Sequence, residues 1–288
     1  WLGHATSLIQ IEEMNILIDP NFSDWTPPVF HRYTPPGIRR EYLPKINLLL
    51  LSHNHADHAI PDDLRYLAEH HDPVVIVGRG SRLWLEQFGF TNIIEADWWD
   101  ELMLEDDSIT ITAIPAQHGS QTTLTNLNKM LWCGFMIQSE NETIYYTGDT
   151  AIGHEMRNRE LEKTALFPQV HERFPQIDTL LLPIAPDGEE NVHINHVQAC
   201  SAIQLLQPKT VIPIHHATLR TGAERVEEPI INFMREAENK ALTNIVPLKI
   251  GGSHPAPNTQ HCISQTLWKK QSEPSTNPNP ATLEPKVI

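Results

Sequence analysis

Ile46-Asn47-Leu48-Leu49-Leu50-Leu51-Ser52-His53-Asn54-His55-Ala56-Asp57-His58 carries the clearest signal in the chain. Its apolar first half reads as a buried strand. A strand that runs straight into His-x-His-x-Asp-His sets three imidazoles and a carboxylate at its C-terminal lip. Side chains alternate along extended backbone, so His53 and His55 point the same way and can grip one cation. Asp57 and His58, one turn further on, can reach a second. Imidazole with carboxylate suits zinc, and also iron or manganese, and the motif holds no thiolate.

The same local grammar recurs along the chain. Ile109-Thr110-Ile111-Thr112-Ala113-Ile114 alternates as a strand and ends in Pro115-Ala116-Gln117-His118-Gly119. Thr143-Ile144-Tyr145-Tyr146-Thr147 is β-rich and ends in Gly148-Asp149-Thr150. Thr210-Val211-Ile212-Pro213-Ile214 ends in His215-His216. Ligand-type residues at the ends of separate strands, each beside a small residue or a turn, are what a site at one edge of a sheet sandwich requires.

With these motifs the sequence resembles the metallo-β-lactamase superfamily. More narrowly, it is similar to the branch containing the phospholipase D that hydrolyses N-acylphosphatidylethanolamine. The closer likeness rests on Trp1-Leu2-Gly3-His4-Ala5-Thr6, Leu17-Ile18-Asp19-Pro20-Asn21-Phe22-Ser23, Tyr33-Thr34-Pro35-Pro36-Gly37, Ser52-His53-Asn54-His55, Asp97-Trp98-Trp99, Pro115-Ala116-Gln117-His118 and Leu131-Trp132. It runs from Trp1 to about Thr218. The fold implied is α/β, a four-layer αββα sandwich with a di-metal site at its rim.

The resemblance also implies roles. His53, His55 and His118 would hold one metal, Asp57, His58 and His215 the other, and Asp149 would bridge them. His215 is preferred to His216 because it directly ends its strand, where the family has a ligand followed by Trp; His216 takes the place of that Trp. The cofactors implied are two divalent transition-metal ions, zinc first, with manganese or iron as alternatives. Two cations roughly 3.5–4 Å apart can share one water and aim the resulting hydroxide at an electrophile. Asp57 would be catalytic as well as a ligand. His193 would stand near the reacting group, to hydrogen-bond an oxygen or to protonate the leaving alkoxide. His4 and Asp19 are candidates for orienting the imidazoles.

The activity implied is phosphodiester hydrolysis of phospholipase D type on a lipid-like, N-acylphosphatidylethanolamine-related substrate. One departure bears on this. After Leu182-Pro183-Ile184 the family has an aromatic and an Arg before its His, whereas Ala185-Pro186-Asp187-Gly188-Glu189-Glu190-Asn191 precedes His193 here. The added carboxylates weaken recognition of an anionic head group. A lactonase, or a hydrolase of a small phosphorylated metabolite, is therefore the runner-up. A metal-binding scaffold without activity is the alternative of another class.

Composition bounds the partners. The formal net charge of −15, with no cluster of Lys or Arg, argues against bulk electrostatic binding of nucleic acid or of an anionic membrane. The expected partner is a small-molecule or lipid-like substrate, with peripheral membrane contact compatible with the latter. Oligomeric state is left open. Cys133, Cys200 and Cys262 show no Cys-x-x-Cys pairing and read as free thiols, favouring a reducing, cytoplasmic compartment. No run reaches the length of a transmembrane helix. The chain opens at Trp1 rather than Met, so a preceding segment is expected, and with it any targeting signal.

One hydrolase domain is expected over residues 1–270, because the ligand-type residues from His53 to His215 must converge. Residues 271–288, rich in Pro, Ser and Asn, read as a disordered tail. Strands are expected at 7–11, 15–18 and 74–77. Helices are expected from Pro61 to before Asp72-Pro73, from a Ser81 cap to near Gly89, from an Asn195 cap to about Leu206, and over 227–240. Residues 21–40 form a long Pro-rich segment with Trp25, Phe30 and Tyr33. It reads either as a wall offering apolar surface to acyl chains or as a stiff structural loop. Trp98-Trp99 reads as packing.

Overall fold

Leu48 to Leu51 are all fully buried, which a half-exposed strand would not allow, and they pair in parallel with strands on both sides. They form a central strand covered on both faces, and alternation sends successive leucines to different layers. The computed structural model describes residues 1–26, 30–104, 108–121, 126–152, 166–186 and 193–254. The expected tail, the acidic segment after Pro186 and Cys262 lie outside the described residues.

In chain order the strands are β1 (Ser7–Ile11), β2 (Met14–Ile18), β3 (Trp25–Thr26), β4 (Phe30–His31), β5 (Leu48–Leu51), β6 (Val74–Gly78), β7 (Ile93–Ala96), β8 (Glu101–Met103), β9 (Thr110–Pro115), β10 (Cys133–Gln138), β11 (Thr143–Tyr146), β12 (Thr179–Pro183) and β13 (Thr210–Ile214). The helices are α1 (Pro61–His70), α2 (Arg82–Glu86), α3 (Leu166–Arg173), α4 (His196–Leu206) and α5 (Glu228–Asn239). One sheet has the order β1-β2-β5-β6-β7 and the other β13-β12-β11-β10-β9-β8.

The two sheets pack face to face. Leu48 and Leu50 share a core with Ile16, Ile18 and Ile76 of their own sheet and Phe135, Tyr146, Leu181 and Ile212 of the other. Leu49 and Leu51 face outward, onto Leu64 and Leu67 of α1 and Leu85 of α2. On the far side, Met136, Tyr145, Leu180 and Leu182 meet Phe167 and Val170 of α3, Ile203 and Leu206 of α4, and Phe233 of α5. The layers are thus helix, sheet, sheet, helix: the αββα sandwich. Each fully buried Leu or Ile contributes about 1.5–3 kcal/mol to it.

Local expectations meet the structure unevenly. Asn195 caps α4 in a capping box: its side chain accepts the Gln198 N–H at 2.9 Å, and Gln198 Oε1 accepts the Asn195 N–H at 3.1 Å. Ser81 makes no side-chain cap; the first N–H of α2, that of Arg82, donates to Glu95 Oε1 instead, and α2 ends at Glu86. Trp98 packs against the inter-sheet core and Trp99 against the core under α3. The segment after Asn21 pairs β3 with β4 and is pinned by Arg32, which donates to Ser23 O, Asn21 Oδ1 and Thr34 O. Tyr33 is exposed and fills no gap in the core. No helix among the described residues is long and apolar enough to cross a membrane. Cys133 and Cys200 are free, buried thiols.

Strand polarity positions the site. In the first sheet β2, β5 and β6 run parallel, and in the second β11, β12 and β13 do. With β9 antiparallel to β10, and β10 to β11, the carboxyl ends of β9, β11 and β13 fall at one edge. Open parallel sheets bind ligands outside such ends.

Candidate metal centre

At the lip of β5 the chain leaves the sheet at Ser52 and closes a turn in which the His58 and Ala59 N–H groups both donate to His55 O. His53 Nε2 lies 2.9 Å from His55 Nδ1, and His118 Nε2, from the end of β9, lies 3.1 Å from the same atom. These three imidazoles form one donor group. A second group gathers His4, Asp57, His58 and His215.

Asp149 stands between the groups. Its Oδ2 is 3.1 Å from His58 Nε2, 3.3 Å from His215 Nε2, 3.6 Å from His193 Nδ1 and 3.8 Å from His118 Nε2. Gly148 aims it there: its φ of 62° lies in the left-handed region, and a Cβ would come 2.7 Å from Cys133 O. All the residues read from sequence as metal donors therefore converge, and His193 joins them. His216 turns away. Its ring lies 4.7 Å from the Trp1 ring and its Nε2 sits 3.2 Å from Pro213 O.

Behind the donors lies a carboxylate whose reach the sequence does not show. Asp19, fully buried after β2, accepts from Ser52 N at 2.8 Å, Ser52 Oγ at 2.5 Å and Tyr146 Oη at 2.5 Å. His58 Nδ1 lies 2.7 Å from its Oδ2, while Ser52 Oγ is also 2.9 Å from His53 Nδ1. Asp19 thus sets His58 directly and His53 through Ser52, leaving both Nε2 atoms for the site. Ser52 and Tyr146 escape a sequence reading. For Tyr146 the available signal was a phenol in a β-rich run, whose hydroxyl needs a partner once buried.

The electrostatics are those of a site that holds positive charge. Burial works to raise the Asp149 carboxyl, but His215 and His58 hold it well below the usual carboxylate range. Against burial, Asp149 and then Asp57 raise His58 well above an ordinary histidine, and Asp149 lifts His215 to about 9. Burial lowers His193 to about 4, so that it is neutral at pH 7.

The residues fit metal ions. Among the described residues, Asp149 Oδ1 and His215 Nε2 are buried with no hydrogen-bond partner. A buried carboxylate oxygen left so is costly, and bound cations would supply a partner for such atoms. The donor set, imidazole and carboxylate without thiolate, matches zinc and its neighbours.

Comparison with known proteins agrees with this geometry. A family model described as a beta-lactamase superfamily domain matches residues 14–216. The mitochondrial N-acyl-phosphatidylethanolamine-hydrolyzing phospholipase D of Saccharomyces cerevisiae is 29% identical over 243 residues, covering 80% of this chain and 49% of its own. The chain thus spans about half the length of that relative. A metal-dependent hydrolase of Koribacter versatilis is 29% identical over 225 residues, covering 76% of this chain and 83% of its own. Among solved structures, a metallo hydrolase of Ignicoccus hospitalis superposes with a TM-score of 0.63 at 22% identity, over 88% of this chain and 94% of that one, a likeness of fold. Two sheets packed between helices, two donor groups at the carboxyl ends of their strands and the family match lead to one assignment: the chain belongs to the metallo-β-lactamase superfamily of metal-dependent hydrolases.

Proposed function

We propose that the protein is a di-metal phosphodiesterase, zinc-loaded, acting on a lipid-like substrate related to N-acylphosphatidylethanolamine. The observation that carries the di-metal reading is Asp149 Oδ2, which lies within 3.8 Å of imidazoles from both donor groups. His53, His55 and His118 would hold one ion, Asp57, His58 and His215 the other, with Asp149 shared. When bound, the ions supply Lewis acidity and lower the pKa of a water towards neutrality. The likeness to the yeast phospholipase D supports the substrate class. The carboxylates Asp187, Glu189 and Glu190 favour a second reading, a less anionic substrate such as a lactone.

The protein's own groups do the rest. Asp149 and Asp57 supply the negative charge that two cations need. His193 is 13% exposed beside Asp149, at the margin of the donor groups. As a neutral imidazole it would hydrogen-bond a phosphoryl or carbonyl oxygen, and at pH 7 it holds little of the acid form. His193→Ala should then retain its metals and lose roughly 10²-fold in turnover, evenly across aryl and alkyl leaving groups. A loss confined to poor leaving groups would assign it the proton of the leaving alkoxide instead, and an unchanged rate would make it a bystander.

Metal content tests the frame. Protein purified without chelator should carry close to two transition-metal ions per chain by elemental analysis, and less than one after zinc or manganese loading would sink the reading. Because His58 and His215 hold protons in the metal-free site, zinc uptake at pH 7 should expel one proton from each. Titration calorimetry in buffers of different ionisation enthalpy reads that release. Activity on N-acylphosphatidylethanolamine, bis(p-nitrophenyl) phosphate, a lactone and a β-lactam, measured side by side, then tests the substrate class. Turnover of the lactone alone would favour the second reading.

A further inference from the structure

His4 stands outside the set assigned to the cations, yet two of that set rest on it. Its Nε2 lies 2.9 Å from Asp57 Oδ2. Its carbonyl oxygen accepts the His215 N–H at 2.9 Å, and its ring lies on that of His215 with 3.8 Å between centroids. Asp57 belongs to the turn after β5 in the first sheet and His215 to the end of β13 in the second. One residue ahead of β1 therefore touches donors from both sheets.

His4 is itself held from several sides. Its N–H donates to Thr218 Oγ1 at 2.8 Å, and its carbonyl also receives Trp1 Nε1 at 2.7 Å. It is fully buried, with a φ of 50°. A non-glycine residue keeps that conformation only where its surroundings over-determine it.

We propose that His4 is a positioning residue: its imidazole donates Nε2–H to Asp57 and fixes that carboxylate, while its carbonyl and ring seat His215, so that both would face the same cation. The inference rests on the di-metal reading above.

The competing role is that of a direct ligand, since the donor atoms of His4, Asp57, His58 and His215 lie within 4.8 Å of one another. The tautomer argues against it. A ligating imidazole passes its other N–H to an acceptor, as His58 can to Asp19 and His53 to Ser52. His4 Nδ1 is buried with no hydrogen-bond partner among the described residues. Ligation through Nε2 would put the proton on Nδ1 and strand a buried donor. Donation from Nε2 to Asp57 leaves Nδ1 a bare lone pair, which is the less costly of the two. His215 Nδ1 also lacks a partner, but His215 Nε2 has no hydrogen bond to give up, whereas His4 Nε2 already has Asp57.

Two variants separate these roles. His4→Phe keeps a ring on His215 and removes the donor. His4→Gln places an amide N–H near the former Nε2 and removes the ring. Zinc stoichiometry and affinity would be read by titration calorimetry, and the ligand field by the visible spectrum of the cobalt-loaded protein, with near-UV circular dichroism confirming the fold. In His4→Phe the second ion should bind about 10–100-fold more weakly, with the first unchanged. His4→Gln should recover most of that loss, with a cobalt spectrum like that of the wild type. A His4→Phe protein that binds both ions normally overturns the proposal. So does a His4→Gln protein as weak as His4→Phe with an altered cobalt spectrum, which would make His4 a ligand. Wild-type protein that takes up less than one ion per chain even after loading overturns the di-metal reading and this inference with it, a result distinct from either variant outcome.

Discussion

Asp149→Asn is expected to lower turnover by roughly 10²–10⁴-fold, to release one metal ion and to leave the fold in place. The substitution keeps the side chain's size and removes a charge buried among imidazoles on four sides. Losing one of two cations forfeits several kcal/mol of transition-state charge stabilisation, and each 1.36 kcal/mol is about tenfold in rate. The fold should survive because the backbone turn that aims residue 149 belongs to Gly148, and the carboxylate's ion pairs among the described residues are with histidines of the site. Steady-state kinetics, elemental analysis and near-UV circular dichroism on one preparation would check the three parts together. Near-normal activity with two ions bound would remove Asp149 from the centre of the site, and loss of the near-UV signal would mean that its role is structural.

His215→Ala and His216→Ala should part company by more than 10²-fold in affinity for the second ion. Read from sequence as a continuing strand, the pair would point to opposite faces, so only one of the two is expected to reach the site. The structure adds which one. His215 Nε2 lies 3.3 Å from Asp149 and 3.6 Å from Asp57, while His216 packs on Trp1 and is lowered to about 4 by burial. Loss of a group that only orients a ligand costs 10–100-fold in metal affinity, so loss of a donor should exceed that. His216→Ala instead opens a void beside Trp1, and its signature should be a lower melting temperature with metal affinity intact. The reversed pattern, metal lost from His216→Ala and kept in His215→Ala, would exchange their assignments.

What was legible in the chain was local. Leu48 to Leu51 announce a strand buried on both faces because four successive leucines leave no polar side. The residues after β5, β9, β11 and β13 could be named because a strand's end is marked by its own neighbours: Pro115, Gly148, the close of an apolar run. The cap at Asn195 was readable for the same reason, since Gln198 is three positions away. Ser81 shows the limit of such rules, because Glu95, on another strand, displaced it from the capping role.

The rest depends on contacts between distant positions. Asp19 gathers Ser52, His58 and Tyr146, which lie 33, 39 and 127 positions away, so no window of sequence contains the network. The choice between His215 and His216 is of the same kind. His215 has left extended backbone, with a φ of 63°, so strand alternation no longer governs where it points. Its direction is set by His4, whose carbonyl holds its N–H, and by Trp1, which occupies His216. The sequence by itself determined which residue types stand at the strand ends, because pleat and turn are properties of neighbouring residues. Only the tertiary structure decided which of them face one another, because that depends on how two sheets pack and which buried polar groups then find partners.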